Sequence, residues 1–254
     1  LRVVQYGCGK MSKYTMRYVY EKGGEIVGAL DINPAVVGKD IGTIMECEDK
    51  GVVVTNVANA RELLAELKPD ACIVTTMSLL GDLEEALTIC AELGINAITT
   101  CEEAFDSWNS NPNLTAKIDK LAKENNCTIT GSGYQDIYWG QLVTAIAAST
   151  HKITKIVGES WYNVEDYGIA LAEAHGSGLT LEEFDAQIAS VDRISDEERN
   201  ALINGGTYSP SYMWNVNGWL AQKLGLTVVS QTQKCVPTTY PTDIASSTLG
   251  MTVP

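Results

Sequence analysis

Cations are scarce in this 254-residue chain: 18 Lys and Arg stand against 32 Asp and Glu, a net charge of −14. Nucleic-acid binding needs clustered Lys and Arg, and adsorption to an anionic membrane needs the same sign of charge, so neither partner is expected. Histidine occurs only at His151 and His175, too few for a histidine-rich metal site, and no metal is expected. The seven cysteines never show C-x-x-C spacing, and their odd number argues against a disulfide frame. Cys72 and Cys90 lie in apolar runs, where a reduced thiol serves as a small core residue. No apolar run nears the roughly 20 residues that span a bilayer. No basic start with an apolar stretch marks a secretory leader, and no Gly-x-Ser-x-Gly marks a hydrolase nucleophile. A cytoplasmic protein is expected. Leu1 opens inside a strand pattern, and Pro254 follows a Ser/Thr-rich stretch with no closing element, so the chain is expected to be shorter than its gene product.

What is present is a regular alternation. Apolar strand-like runs at 2–6, 25–30, 52–55, 71–75, 95–99 and 127–130 alternate with helical patterns at 12–21, 58–67, 81–93 and 114–125. Strands separated by helices of this length imply an α/β fold, a doubly wound parallel sheet of Rossmann type over residues 1–135. Beyond it the rhythm changes. Ile137–Ser149 reads as one apolar helix, Lys152–Val164 and Leu226–Cys235 alternate as half-buried strands would, and Tyr212–Leu224 is helical. Thr180 with Glu183 and Ser195 with Glu198 have capping-box spacing. Residues 136–254 are therefore expected to form an α+β domain for substrate binding and dimerisation.

The first strand runs into Gly7-Cys8-Gly9-Lys10-Met11-Ser12 and then a helix. Gly7 suits the tight turn, and Gly9 lets backbone approach a pyrophosphate held at the helix start. Ser12 takes the third glycine's place as a small residue for close helix–strand packing. Asp31 ends the second strand 24 residues after Gly7, where a carboxylate can accept from ribose hydroxyls. It would repel a 2′-phosphate, and no Arg follows it, so NAD is expected over NADP, with Lys39 the one nearby cation.

Ligands of open α/β sheets lie beyond the carboxyl ends of the strands. Thr75, Thr76 and Ser78 follow one strand and are expected to line the cofactor, as is Gly133 after the last. Glu102 and Glu103 follow another, and either could carry protons for a reaction at the nicotinamide. Tyr134, Gln135 and Tyr162 flank the expected boundary and could contact substrate, as could His175 beside Gly176-Ser177-Gly178.

The segments Val3–Met11, Thr99–Ala104 and Gly131–Gly140 resemble the family of 2,4-diaminopentanoate dehydrogenase and the native amine dehydrogenases. The resemblance implies oxidation of the C4 amine of 2,4-diaminopentanoate to 2-amino-4-oxopentanoate and ammonia, a step of ornithine fermentation. It also implies either nicotinamide cofactor, a fold like dihydrodipicolinate reductase, a homodimer built through the second domain, and a catalytic glutamate within Thr100–Glu103. Two other expectations stay open: a reductase of a cyclic imine or unsaturated dicarboxylate, and a protein that senses NAD(H) without turnover. The first would need a basic patch, and Lys152, Lys155 and Arg193 are scattered; the second would have no use for paired carboxylates at a strand end.

Overall fold

The computed structural model describes residues 1–133, 136–159, 169–208 and 210–253. Strands β1 (Arg2–Tyr6), β2 (Glu25–Asp31), β3 (Val54–Asn56), β4 (Ala71–Val74), β5 (Asn96–Thr99) and β6 (Ile129–Gly131) form one sheet in the order β3-β2-β1-β4-β5-β6. Every pairing is parallel, which requires a crossover between successive strands. The crossovers carry α1 (Ser12–Glu21), α2 (Ile41–Met45), α3 (Ala60–Leu67), α4 (Glu84–Glu92) and α5 (Pro112–Glu124). This is the doubly wound α/β architecture, and its strand order reverses between β1 and β4.

Strand alternation sorts the core onto the two faces of the sheet. Val3 meets Met16 and Val19 of α1, while Val4 and Tyr6 join Leu64, Leu83 and Leu87 beneath α3 and α4. The α1 residues buried there, Ser12, Met16 and Val19, recur at helical spacing. Each fully buried Met or Val contributes roughly 1.5–3 kcal/mol from desolvation, which outweighs the modest helix propensity of the tyrosines, Thr15 and Val19 in α1. A third cluster, Phe105, Trp139, Val216 and Leu220, lies apart from these two.

The chain divides into two compact units, 1–149 with 202–228, and 150–201 with 229–254. The first is larger than the span 1–135 expected of the nucleotide domain. It includes a wide helical turn at Asp136–Val143, α6 (Thr144–Ala148) and, after an absence of about fifty residues, the end of α9 and the whole of α10 (Tyr212–Lys223). The second contains α7 (Ile169–Ala174), α8 (Leu181–Gln187), the start of α9 (Asp196–Gly205) and an antiparallel hairpin, β7 (Ile244–Ser246) with β8 (Met251–Val253). Both capping boxes form: Thr180 and Glu183 exchange bonds at the start of α8, and Ser195 and Glu198 do so at α9.

Two expected strands are corrected. Lys152–Glu159 is exposed and forms no ladder, and residues 160–164 lie outside the described residues. Leu226–Cys235 likewise joins no sheet, with Val229 95% exposed. Period-two alternation makes a strand only where a neighbouring strand supplies hydrogen bonds, and among the described residues none does so here. All seven cysteines are unpaired thiols, as the composition implied. Among the described residues, no helix is long and apolar enough to cross a membrane.

Candidate active site

The strand order places two polar loops on either side of its reversal. One is the turn from β1 into α1. Gly7 has φ +93°, and a Cβ there would come within 2.7 Å of Thr76 Cγ2 and 2.8 Å of the Thr75 carbonyl, so only glycine fits. The turn is braced from below by a residue that motif reasoning missed. Gln5 is fully buried in the middle of β1, and its Nε2 donates to the Gly7 carbonyl and to Thr75 Oγ1, each at 2.8 Å. Its Oε1 accepts from Thr15 Oγ1 of α1 at 2.8 Å. Thr75 Oγ1 also donates to the Gly7 carbonyl at 2.9 Å. Thr75, expected to line the cofactor, also shapes the loop, while Thr76 and Ser78 are exposed beside it. The one amide in an otherwise apolar strand was the available signal for Gln5.

Ser12 is fully buried, as a glycine substitute should be, and its hydroxyl donates to the Gly9 carbonyl at 2.7 Å. Helix α1 begins behind Met11 with no side-chain cap; the Ser12 and Tyr14 N–H groups turn back to the Gly9 and Met11 carbonyls, each at 3.1 Å. A Cβ on Gly9 would meet no protein atom within 4 Å. The protein itself has no steric need for glycine there, and the open space lies where a pyrophosphate would approach. Lys10 and Met11 are exposed at the rim of that space. Asp31, at the end of β2, accepts from the Cys8 N–H at 2.6 Å and from the Asn33 N–H at 2.7 Å. Each oxygen keeps a lone pair for a ribose hydroxyl. The residues thus fit a dinucleotide: a helix start without a side-chain cap, a glycine whose Cβ position no protein atom approaches, and an acceptor on the next strand.

The second loop follows β5. Here the two adjacent glutamates part company. Glu103 is 4% exposed and fully engaged: its Oε2 accepts from the Leu80 N–H at 2.6 Å and its Oε1 from Ser110 Oγ at 2.8 Å. Glu102 is half-exposed, and among the described residues its carboxylate has no hydrogen-bond partner. The segment around it is pinned. The Cys101 N–H donates to Thr99 Oγ1 at 3.0 Å, and the Glu103 N–H donates to the Ser78 carbonyl at 3.2 Å. Gly131 of β6 abuts this loop so closely that a Cβ would overlap the Ala104 carbonyl.

The two buried thiols near the strand ends are poorly suited to the chemistry. Burial pushes the Cys101 thiol up to about 12, and burial together with the Asp31 charge does the same for Cys8. Both stay protonated and unreactive. Asp106 is 9% exposed, and burial raises its carboxyl to about 6, against some lowering by Lys223. It borders a cavity of about 430 Å³ that also touches Thr99, Trp108 and Trp219. That cavity follows edge strand β6 from Gly131 down to Cys127 and touches neither the Gly7–Ser12 turn nor Asp31, so it is not the dinucleotide crevice. Gly133 is half-buried after β6. Tyr134, Gln135 and Tyr162 lie outside the described residues. His175 is exposed in the turn after α7 and belongs to the second unit.

A solved amine dehydrogenase from Mycobacterium smegmatis superposes with a TM-score of 0.85 at 34% identity, covering 99% of this chain and 70% of that one. The chain belongs to the amine dehydrogenase family. A curated 2,4-diaminopentanoate dehydrogenase from Acetoanaerobium sticklandii is 27% identical over 192 residues, 72% of this chain. The chain spans 52% of that relative's length, about half. No family model matches the chain. In this member of the family the parts sequence reasoning could not single out are Gln5 beneath the glycine turn and the separation of Glu102 from Glu103.

Proposed function

We propose that the chain is the nucleotide-binding part, with the proton-carrying carboxylate, of an NAD-dependent amine dehydrogenase acting on 2,4-diaminopentanoate. The observation that carries this is the unengaged Glu102 at the end of β5, two strand spacings or about 10 Å from the glycine cradle at β1. When bound, the nicotinamide supplies the two-electron acceptor for the carbon that bears nitrogen. The protein's own task is the protons. An ammonium has no lone pair to assist loss of electrons from its carbon, so Glu102 must first take a proton from it. Glu102 then gives that proton up to solvent, and after oxidation it draws another from water as the water oxygen bonds to the iminium carbon. This second proton goes on to the nitrogen, the hydroxyl proton returns to Glu102 as the C–N bond breaks, and ketone and ammonia leave. Tyr134, Gln135, Tyr162 and His175 remain candidates for holding the rest of the substrate. The resemblance adds a homodimer, and seven unpaired thiols support a reducing, cytoplasmic setting.

With NAD⁺ and 2,4-diaminopentanoate the protein is expected to produce reduced cofactor and ammonia in equal amounts. Cofactor binding without either product would sink the proposal and leave the sensing alternative. Oxidation of NADH by an unsaturated dicarboxylate would favour the reductase.

Asp31 carries the proposed preference for NAD. Asp31→Ala removes a ribose acceptor and the charge opposing a 2′-phosphate, and it also frees the Cys8 N–H. KM should rise for both cofactors, and more for NAD⁺, so that the preference falls roughly 10-fold, the worth of one charge-assisted hydrogen bond. An unchanged ratio of the two KM values would remove Asp31 from cofactor choice.

A further inference from the structure

We propose that Asn215, on α10, is a positioning residue for Glu102, which makes this late helix part of the proton-transfer apparatus. The inference rests on Glu102 being the proton carrier. Asn215 is 1% exposed. Its Nδ2 donates to the Glu103 carbonyl at 2.9 Å and to Ser110 Oγ at 3.1 Å, and Ser110 in turn donates to the Glu103 carboxylate at 2.8 Å. With its N–H on the Ser78 carbonyl, Glu103 is thereby held at both backbone groups and both carboxylate oxygens. Glu102 immediately precedes it, with φ −63° and ψ −38°, and among the described residues its carboxylate is directed by this backbone alone. Neighbouring contacts seat the same loop on α10. Trp214 Nε1 donates to the Asn109 carbonyl at 3.0 Å, and Asn109 Nδ2 donates to the Trp214 carbonyl at 2.6 Å. Gly218, one turn on, admits the Asn109 amide and the Asp106 carboxylate, which a Cβ would meet at 2.6 and 2.8 Å.

The amide of Asn215 is itself a poor choice for packing. Its Oδ1 is buried with no hydrogen-bond partner among the described residues, a cost that an apolar side chain would not carry. What the amide adds is a donor aimed at one carbonyl, and its effect is to fix the peptide that follows the reacting residue. A displacement near 1 Å at such a group can cost on the order of 10²-fold in rate.

Asn215→Leu keeps the branching at Cγ and removes the donor. In the intact protein it is expected to lower kcat about 10–100-fold with the cofactor KM unchanged within twofold, and to speed hydrogen exchange at the Glu103 amide. Combined with Glu102→Gln it should add no further loss. Parental kcat in Asn215→Leu, beside an impaired Glu102→Gln, overturns the proposal, as does a full additional loss in the double variant. Parental kcat in Glu102→Gln instead removes the carboxylate assignment itself, and the exchange rate at Glu103 then still decides whether Asn215 holds the loop. Asn215→Ser, too short to reach the carbonyl, is measured in the same way if the leucine variant is not recovered folded.

Discussion

Glu102→Gln is expected to lower kcat by roughly 10²–10⁴-fold, the usual worth of a positioned acid–base group. Glu103→Gln is expected to act on stability instead. Glu103 spends its carboxylate on the Leu80 N–H and the Ser110 hydroxyl, and a glutamine would turn an NH₂ toward one of these donors. That mismatch should cost about 1–3 kcal/mol and several degrees in Tm, with a smaller change in kcat. Steady-state kinetics and thermal unfolding of the two variants separate the roles, because the signatures are opposite. If both keep parental kcat the proton carrier lies elsewhere, and Asp106, with its carboxyl raised to about 6 by burial, is the next to replace, followed by His175.

The glycine turn offers a second pair of unequal substitutions. Gly9→Ala places a methyl where no protein atom lies within 4 Å, at a position without positive φ. Folding stability should stay within about 0.5 kcal/mol of the parent. Cofactor binding should weaken by about 10²-fold, because the backbone can no longer close on the pyrophosphate. Gly7→Ala should damage both. Its φ of +93° alone costs about 1–2 kcal/mol for a residue with a Cβ, and contact with the Thr75 carbonyl at 2.8 Å breaks up the Gln5–Thr75 brace. Isothermal titration with NADH alongside thermal unfolding reads the two effects apart. Unimpaired binding in Gly9→Ala would mean that no ligand enters this cradle.

The parallel sheet was legible because both its faces are buried, so its strands are short apolar runs closed by Gly or polar residues. Strand β1 and helix α1 have the limits expected of them, and β2, β4 and β5 differ from expectation by a residue or so at an end. The short helix α2 was not legible: it is set by Asp40, whose carboxylate caps Gly42 and also accepts from Lys50 ten positions on. The glycine loop and Asp31 were legible because their task is local. Which of Glu102 and Glu103 is available was not, since adjacent residues of one type look alike. They are told apart by Leu80 and Ser110, and by α10 a hundred residues later. The segments 152–159 and 226–235 show the opposite error, a local pattern without the partner needed to realise it.

The departure of the chain at residue 149 and its return at 202 has a consequence for how the protein is made. The sheet and its glycine turn are complete once residue 131 has been synthesised, but the bond from Asn215 to the Glu103 carbonyl spans 112 positions. At ribosomal speeds of about 5–20 residues per second, that contact waits roughly 6–22 s behind its acceptor. A nascent chain can therefore own a nucleotide cradle well before the loop bearing Glu102 is fastened. Nucleotide present in the cell could bind and stabilise the half-made protein during that interval, and competence for catalysis would come last, in step with the emergence of α10.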